Sequence, residues 1–306
     1  MKTDSTSRRK NQNSLYRAID AALRHGLRVL PAWTWTERVA LWWGYRFQPA
    51  PRVVKLRSGA MIYVNPTDYL QLLIYYTGAF EPHCLPYLRG CVNQGGTIVD
   101  VGANIGFYTL ESSLAVGPTG RVISIEAAPP HAGALQKNIE LNGMRNTSLI
   151  EVAVGDSVGE AKLALPRGDN LGMYTLGAVN SDEVYSVALR RMDDLLEKQY
   201  VDSIDLIKMD IEGSEYRALR GATKTLVTHK PALLIELNEV ALRQCGSSAQ
   251  AVKDLLREAG YRGWLINRDG EARPIPEGPA THDCDECLFI HREKVSLMHR
   301  LRLPDA

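Results

Sequence analysis

No uncharged run in this chain approaches the ~20 residues needed to cross a bilayer, so the sequence excludes a membrane-spanning helix. An excess of either charge sign is also missing: Lys and Arg number 36 against 35 Asp and Glu, a net charge of +1. No global field therefore selects nucleic acid or an acidic partner. No basic stripe with interleaved aromatics appears beyond the N-terminal segment either, so no nucleic-acid partner is expected. Cysteines are few. Cys84, Cys91, Cys245, Cys284 and Cys287 make five in 306 residues, an odd number in a large chain, which argues against a disulfide scaffold. Cys284-Asp285-Glu286-Cys287, preceded by His282, is a single CxxC. A zinc site needs two further ligands at suitable spacing, so the reading is thiols without a metal. The opening stretch MKTDSTSRRKNQNS is polar and basic with no apolar core behind it. That makes a poor signal peptide, and a cytoplasmic location is expected.

What is present falls into three stretches. Residues 1–13 read as a disordered tail. Residues 14–92 read as N-terminal helices and a β-hairpin forming a cap, and 93–306 as the main domain. Leu15, Ile19, Leu23 and Leu27 recur every four residues and make one apolar stripe on a helix from Ser14 to Leu30. Pro31 opens a second segment with Trp33, Trp35, Trp42 and Trp43, four of the five tryptophans. One reading packs these helices on the main domain. The sharper one takes the aromatics with Arg24, Arg28 and Arg38 as a peripheral membrane contact through residues 14–46. Val53–Leu56 and Met61–Val64 flank Arg57-Ser58-Gly59-Ala60 as a hairpin, and a helix from Asp68 to Tyr76 ends at Thr77-Gly78.

From about Gly95 short apolar runs alternate with helical patterns. Strands are expected at Thr97–Val101, Val122–Ile125, Ser148–Val154, Ile204–Met209, Ala232–Leu237, Gly263–Asn267 and Cys287–His291. Helices are expected at Phe107–Ala115, His131–Asn142, Glu215–Leu226 and Ala249–Ala259. Such alternation means an α/β domain: a doubly wound, Rossmann-like, mostly parallel sheet covered on both faces. The stretch from Gly155 to Arg190 reads as an irregular loop over the site.

Thr97–Val101 runs into Gly102-Ala103-Asn104-Ile105-Gly106, and a helix opens at once with Phe107. In a doubly wound sheet ligands bind outside the carboxyl ends of strands at such a turn. Gly102 and Gly106 admit close backbone approach, and the helix N-terminus offers N–H groups to a carboxylate or phosphate. A dinucleotide fingerprint wants G-x-G-x-x-G, and Ala103-Asn104 after Gly102 breaks that spacing. An amino-acid-bearing nucleoside remains. Asp100 would meet its ammonium group. Glu126, at the end of the second strand and followed by Ala127, would accept both ribose hydroxyls. Ala153 and Val154, at the end of the third strand, would flank the purine, and Asp156 would accept from its exocyclic amine. Asp156 as a plain turn or cap is the competing reading.

VDVGANIGFYTL (99–110), IDLIKMDIEGSEYRALRGA (204–222) and PALLIELNE (231–239) resemble, in this order and separation, the FkbM family of class I methyltransferases. The resemblance runs over roughly residues 53 to 240. It implies a seven-stranded sheet with an antiparallel last strand, S-adenosylmethionine as cofactor, and O-methylation of sugars or secondary metabolites. By position, Asp100, Gly102, Asn104 and Gly106 correspond to the family's cofactor loop and Glu126 to its ribose acid. Glu81 corresponds to a position that faces the methionine end. Asp169–Met173 departs from the serine-rich segment of relatives.

Methyl transfer to a hydroxyl needs a positioned acceptor and a group to take its proton. Lys208 and Asp210 share one face of the fourth strand, and Glu236 and Asn238 one face of the fifth. Asp210 is the expected base or orienting group. Glu236 interrupts an apolar run, where burial raises its pKa, and is expected to pair with Lys208 on the neighbouring strand. Glu212 and Asn238 are candidate substrate contacts. Glu212 and Glu215 also suit a helix N-terminus without any function. Asp210, Glu212 and Glu236 form an oxygen-rich edge of the kind magnesium takes, but no spacing demands a metal and none is assigned. The acceptor is expected to be a small molecule or glycan. A nicotinamide oxidoreductase and a non-catalytic cofactor-binding module are the alternatives.

Overall fold

The structure is a computed structural model that describes residues 14–30, 34–165, 175–176, 181, 183–276 and 284–305. The tail at 1–13, Trp33, the Asp169–Met173 segment and His282 lie outside the described residues. The described chain divides into two compact units, one up to Pro82 and one from His83 onward.

The first unit contains α1 (Ser14–Val29), α2 (Thr34–Phe47), the hairpin strands β1 (Arg52–Lys55) and β2 (Met61–Val64), and α3 (Tyr69–Thr77). The hairpin pairs Val54 with Ile62. Asp68 caps α3 by accepting from the Gln71 N–H, and Gly78 closes it in the left-handed region at φ 69°. Both ends were legible because an acceptor before the first turn and a glycine after the last satisfy orphan backbone groups. Ile62, Leu72, Ile74 and Tyr76 are fully buried. Asp20 of α1 is buried with them, because the hydroxyls of Tyr75 and Tyr76 donate to it at 2.6 and 2.9 Å. Trp43 stacks near Tyr16 and Phe47, while Trp35 and Trp42 are 52% and 67% exposed.

The second unit begins with α4 (Leu85–Cys91), which lies inside the stretch the sequence assigned to the cap. There follow β3 (Thr97–Val101), α5 (Phe107–Val116), β4 (Arg121–Ile125), α6 (Pro129–Leu141), β5 (Thr147–Ile150), β6 (Ala153–Gly155), β7 (Gly159–Ala164), β8 (Val184–Arg191) and α7 (Met192–Glu197). The chain continues through β9 (Leu206–Met209), α8 (Glu215–Arg220), α9 (Thr223–His229), β10 (Ala232–Asn238), α10 (Glu239–Gln244), α11 (Ala249–Glu258), β11 (Tyr261–Ile266), β12 (Ala272–Pro274), β13 (Cys284–His291) and α12 (Val295–Arg300). The main sheet has the order β12-β11-β13-β10-β9-β3-β4-β5. From β10 to β5 the pairs are parallel, and β13 runs antiparallel to both β10 and β11. This is the doubly wound sheet expected, with one edge strand, β12, beyond seven. Every residue of β3 is buried, as a central parallel strand covered on both faces requires.

Three local expectations are corrected. Ser148–Val154 is not one strand. The chain turns at Glu151, with Val152 N–H donating to Ile150 O, and β6 leaves the main sheet for a small one of order β6-β8-β7. The ends of the presumed loop from Gly155 to Arg190 are the strands β7 and β8, paired antiparallel from Gly159↔Leu189 to Ala164↔Val184. Glu160, Ala161 and Lys162 have poor strand propensity, and pairing with β8 overrides it. The single helix expected at Glu215–Leu226 breaks at Gly221, where a Cβ would collide with the Gly155 carbonyl. Among the described residues no helix is long and apolar enough to cross a membrane. Cys84, Cys91, Cys245 and Cys287 are buried free thiols.

Candidate active site

The strand order reverses between β3 and β9, and the carboxyl ends of those strands define the switch-point crevice. Gly102 ends β3 at φ 80°. A Cβ there would collide with the Asp210 carbonyl at the end of β9, so only glycine lets the turn rest on its neighbour. Asn104 takes φ 50°, and its Oδ1 accepts from Ile105 N–H at 2.8 Å. Gly106 at φ 100° opens α5, and it has no side chain with which to cap the helix. A Cβ on Gly106 would stand 2.5 Å from Leu135 Cδ1, so α6 supports the turn from behind. The Asn138 amide of α6 donates to Ile105 O at 2.8 Å. Ala103 and Phe107 are buried in the same loop.

Glu126 follows β4 and closes on this turn. Its carboxylate accepts from Asn104 N–H and from Ala128 N–H, both at 2.7 Å. Burial raises its pKa to about 7 against those bonds, with help from the Asp100 charge. Ala127 N–H also hydrogen-bonds this carboxylate, which leaves part of its acceptor capacity unfilled. Asp100 is 1% exposed and accepts from Thr109 Oγ1 at 2.6 Å, and that hydroxyl also meets Ser124 Oγ at 2.9 Å. Burial raises Asp100 to about 6, against the Thr109 bond and the Lys208 charge.

The end of β9 carries the second cluster. Lys208 is 1% exposed and its Nζ lies 3.3 Å from Asp210 Oδ2 and 4.7 Å from the centre of the Tyr108 ring. Asp210, Glu212 and Glu236 each bring a carboxylate oxygen within 4.8 Å of the others. Burial and the Asp210 charge push Glu236 well above the ordinary carboxylate range. Burial also works to raise Asp210, but the Lys208 ammonium and a hydrogen bond from Glu236 outweigh it and hold Asp210 low. A proton on Glu236 thus serves an ionised Asp210. Glu212, at φ 50°, is pushed well up by burial and by Asp210 and Glu215. The register sets Lys208 opposite Leu234 and Met209 opposite Ile235. The next step brings Asp210 to Glu236, so Asp210 stands between the Lys208 and Glu236 that were expected to pair.

The remaining predicted residues divide. Ala127 and Ala153 pack in one apolar cluster with Ala128 and Leu163. Val154 points the other way, into the main core with Met209 and Ile235, because side chains alternate along β6. Asp156 lies 3.5 Å from Arg220 in a half-exposed ion pair. Asn238 is the N-cap of α10, its Oδ1 accepting from Ala241 N–H at 3.1 Å, so the side chain assigned to substrate has a structural task. Glu81 belongs to the first unit and takes φ 41°. Glu215 is buried, and its Oε1 accepts from Ile211 and Gly213 N–H at 3.0 and 3.3 Å. Thr109, Ser124, Tyr108 and Asn138 went unread in the sequence. None completes a spaced motif, and each acts by reaching a partner from another element.

Residues 100–262, more than half of the chain, match the family described as the methyltransferase FkbM domain. The chain is similar to "Methyltransferase sdnD" of Sordaria araneosa, 27% identical over 48% of this chain and 67% of that one. It is similar also to "2-O-methyltransferase NoeI" of Sinorhizobium fredii (strain NBRC 101917 / NGR234), 29% identical over 52% of this chain and 70% of that one. A solved methyltransferase FkbM from Methylobacillus flagellatus KT is 20% identical with a TM-score of 0.41, covering 73% of this chain and 53% of that one. The matched span opens on Asp100 and runs into β11, taking in the turn, Glu126 and the acidic cluster together, and by that match the chain belongs to the FkbM methyltransferase family.

Proposed function

We propose that this chain transfers a methyl group from S-adenosylmethionine to a hydroxyl of a small-molecule or glycan acceptor, a sugar or a secondary metabolite, with Asp210 taking the hydroxyl proton. The carrying observation is that the Gly102 turn rests on the backbone of Asp210, whose carboxylate is held by both Lys208 and Glu236. The cofactor turn and the acid that would serve the acceptor are thereby one piece of structure.

The residues present fit an adenosine that carries an amino acid. The two glycines give backbone access, Glu126 keeps acceptor capacity for a ribose diol, and Asp100 offers a carboxylate at the neck of the turn. Ala127 and Ala153 supply apolar walls for a purine. When bound, S-adenosylmethionine supplies the methyl group, the leaving group and a positive charge. The chain's own part is to hold the acceptor oxygen in line and to receive its proton. Lys208 keeps Asp210 ionised, and the Glu236 carboxyl donates a hydrogen bond to it. Glu212, 4.8 Å or less from both, is placed to meet a neighbouring hydroxyl of the acceptor. The name 2-O-methyltransferase borne by the similar NoeI supports an oxygen acceptor.

Methyl-labelled S-adenosylmethionine offered with a panel of hydroxylated glycans tests the reading. The expected product keeps its label in mild base, as a methyl ether does. Release as methanol marks a methyl ester and would refute transfer to a hydroxyl. Asp210→Asn is expected to bind S-adenosylhomocysteine as the parent does and to lose turnover; full turnover removes Asp210 as the base. Calorimetric titration with NAD separates the oxidoreductase alternative, for which NAD and not S-adenosylhomocysteine gives heat.

A further inference from the structure

The first unit contains an open cavity of about 350 Å³ between α1 and β1. Arg24, His25 and Arg28 enter it from successive turns of α1 and Lys55 from the end of β1, with the exposed Val53, on the same face of the strand as Lys55, as an apolar wall. Among the described residues, no carboxylate lines it. Asp20, which meets Arg24 Nε at 3.3 Å, is buried beneath, where the Tyr75 and Tyr76 hydroxyls also donate to it.

A solvated basic face is the ordinary explanation of such residues, and two features exceed it. Arg24 and Arg28 are like charges four residues apart on one helix, which is destabilising. Arg28 is also drawn inward. Its guanidinium donates to Lys55 O and, at 3.2 Å, to Tyr75 O. Burial and the charges of Arg24 and Arg57 together depress its pKa. The carbonyls at the end of α1 ease one cation, not three around one cavity. An anion seated there would relieve the repulsion, and a guanidinium fork with an ammonium beside it matches the oxygens of a phosphate.

We infer that this cavity is a binding site for a phosphate ester, its phosphate held by Arg24, Arg28 and Lys55 and a compact organic part lying on Val53. The volume is at the lower end of the ~300–1,000 Å³ of small-molecule sites, which suits a glycerophosphate or a lipid headgroup of that size. The site lies in the first unit and does not depend on the methyl-transfer reading.

The test uses the full chain saturated with S-adenosylhomocysteine, so that the turn in the second unit is occupied. Calorimetric titration with sn-glycerol 3-phosphate and with inorganic pyrophosphate at low salt forms one arm. Co-sedimentation with phosphatidylglycerol–phosphatidylcholine vesicles, against phosphatidylcholine alone, forms the other. Binding in either arm is expected, with at least a tenfold loss in Arg24→Gln/Lys55→Gln and a smaller loss in His25→Gln/Lys55→Gln, whose residues are exposed and carry no fold. Vesicle binding with a blue shift of the exposed Trp35 and Trp42 assigns the phosphate to a lipid, and binding of the soluble esters alone assigns it to a metabolite. No binding in either arm, or equal binding by both variants and parent, overturns the site.

Discussion

Replacing Glu126 by Gln tests whether the acid after β4 is the ribose group of the cofactor site. Its two oxygens offer about four acceptor sites. Asn104 N–H and Ala128 N–H fill two at 2.7 Å and Ala127 N–H also hydrogen-bonds the carboxylate, and the capacity that remains is what a ribose diol would use. A Gln carboxamide has one oxygen, so it keeps one backbone donor and one hydroxyl. Its NH₂ then faces the other backbone N–H, and the second hydroxyl loses its acceptor. A hydrogen bond to a charged group contributes about 1.5–3 kcal/mol, so affinity for S-adenosylhomocysteine is expected to fall by roughly 10- to 150-fold, read by calorimetry at pH 8. The pH dependence is the sharper signature. Burial raises Glu126 to about 7 in the free protein, and hydroxyl donors favour the ionised form. Affinity is therefore complete above pH 7 and declines as pH falls through it, by roughly tenfold between pH 8 and pH 6 at ~1.36 kcal/mol per pH unit. Asp100, raised to about 6, adds its own loss only below that. The Gln variant lacks this titration and is expected to lose less affinity than the parent from pH 8 to 6, what remains coming from the other raised carboxyls. A variant that binds within threefold of the parent, or a parent whose affinity is flat over that window, refutes the assignment.

Gly102→Ala is expected to lower Tm and cofactor affinity more than Gly106→Ala. The first Cβ meets the Asp210 backbone and the second only the end of the Leu135 side chain; overpacking costs about 1–3 kcal/mol where nothing yields, and equal effects in thermal unfolding would contradict this account. Asp210→Asn is expected to lower kcat by about 10²–10⁴, the range of a lost general base. Glu236→Gln, which still donates to Asp210, should lose less than tenfold, and steady-state kinetics that reverse the order would move the base to Glu236. Glu215 is raised by burial from 4.5 to about 7. A folded value above the unfolded one stabilises fully below pH 4.5 and is lost as pH rises through 7. Glu215→Gln should therefore gain stability at pH 8 relative to pH 5, by up to about 3 kcal/mol, and denaturant midpoints that shift equally at both pH values would disprove the linkage.

The legible parts of this fold are those where one local rule sufficed. Asp68 and Gly78 bracket α3 because each satisfies backbone groups within its own turn. The turn from Gly102 to Gly106 was readable because strand, glycine spacing and helix are contiguous. So was Glu126, since the distance from the turn to the next strand end is set by one helix. Asp210 and Glu236 were placed on facing strand ends by alternation alone. What escaped was decided by partners distant in sequence. Gly221 reads as a helix-interior glycine until Gly155 comes up against it. The strands β7 and β8 exist through their pairing with each other, and Glu160-Ala161-Lys162 announces no strand. Asn238 looked like a substrate ligand because the α10 that it caps begins one residue later, without an apolar pattern long enough to read.

The partner of Lys208 was misjudged for a related reason, and the correction bears on chemistry. Strand alternation puts Lys208, Asp210 and Glu236 on one side, and the sign of their charges alone favours a bridge between the two strands. The parallel register places the lysine two pairs too early for that, opposite Leu234. Asp210 becomes the middle member, drawn down by Lys208 and hydrogen-bonded by Glu236, while Glu236, Glu212 and Glu215 are all driven up. The crevice therefore concentrates carboxyls that ionise reluctantly, at a cost in stability that grows with pH. Any ligand bringing positive charge to the ends of β9 and β10 offsets that cost by favouring their ionised forms. A sulfonium that also carries an ammonium group does so twice, and its neutral thioether product only once. Under the proposed reaction, the same burial that makes the free fold less stable at neutral pH would favour the charged donor over its spent form.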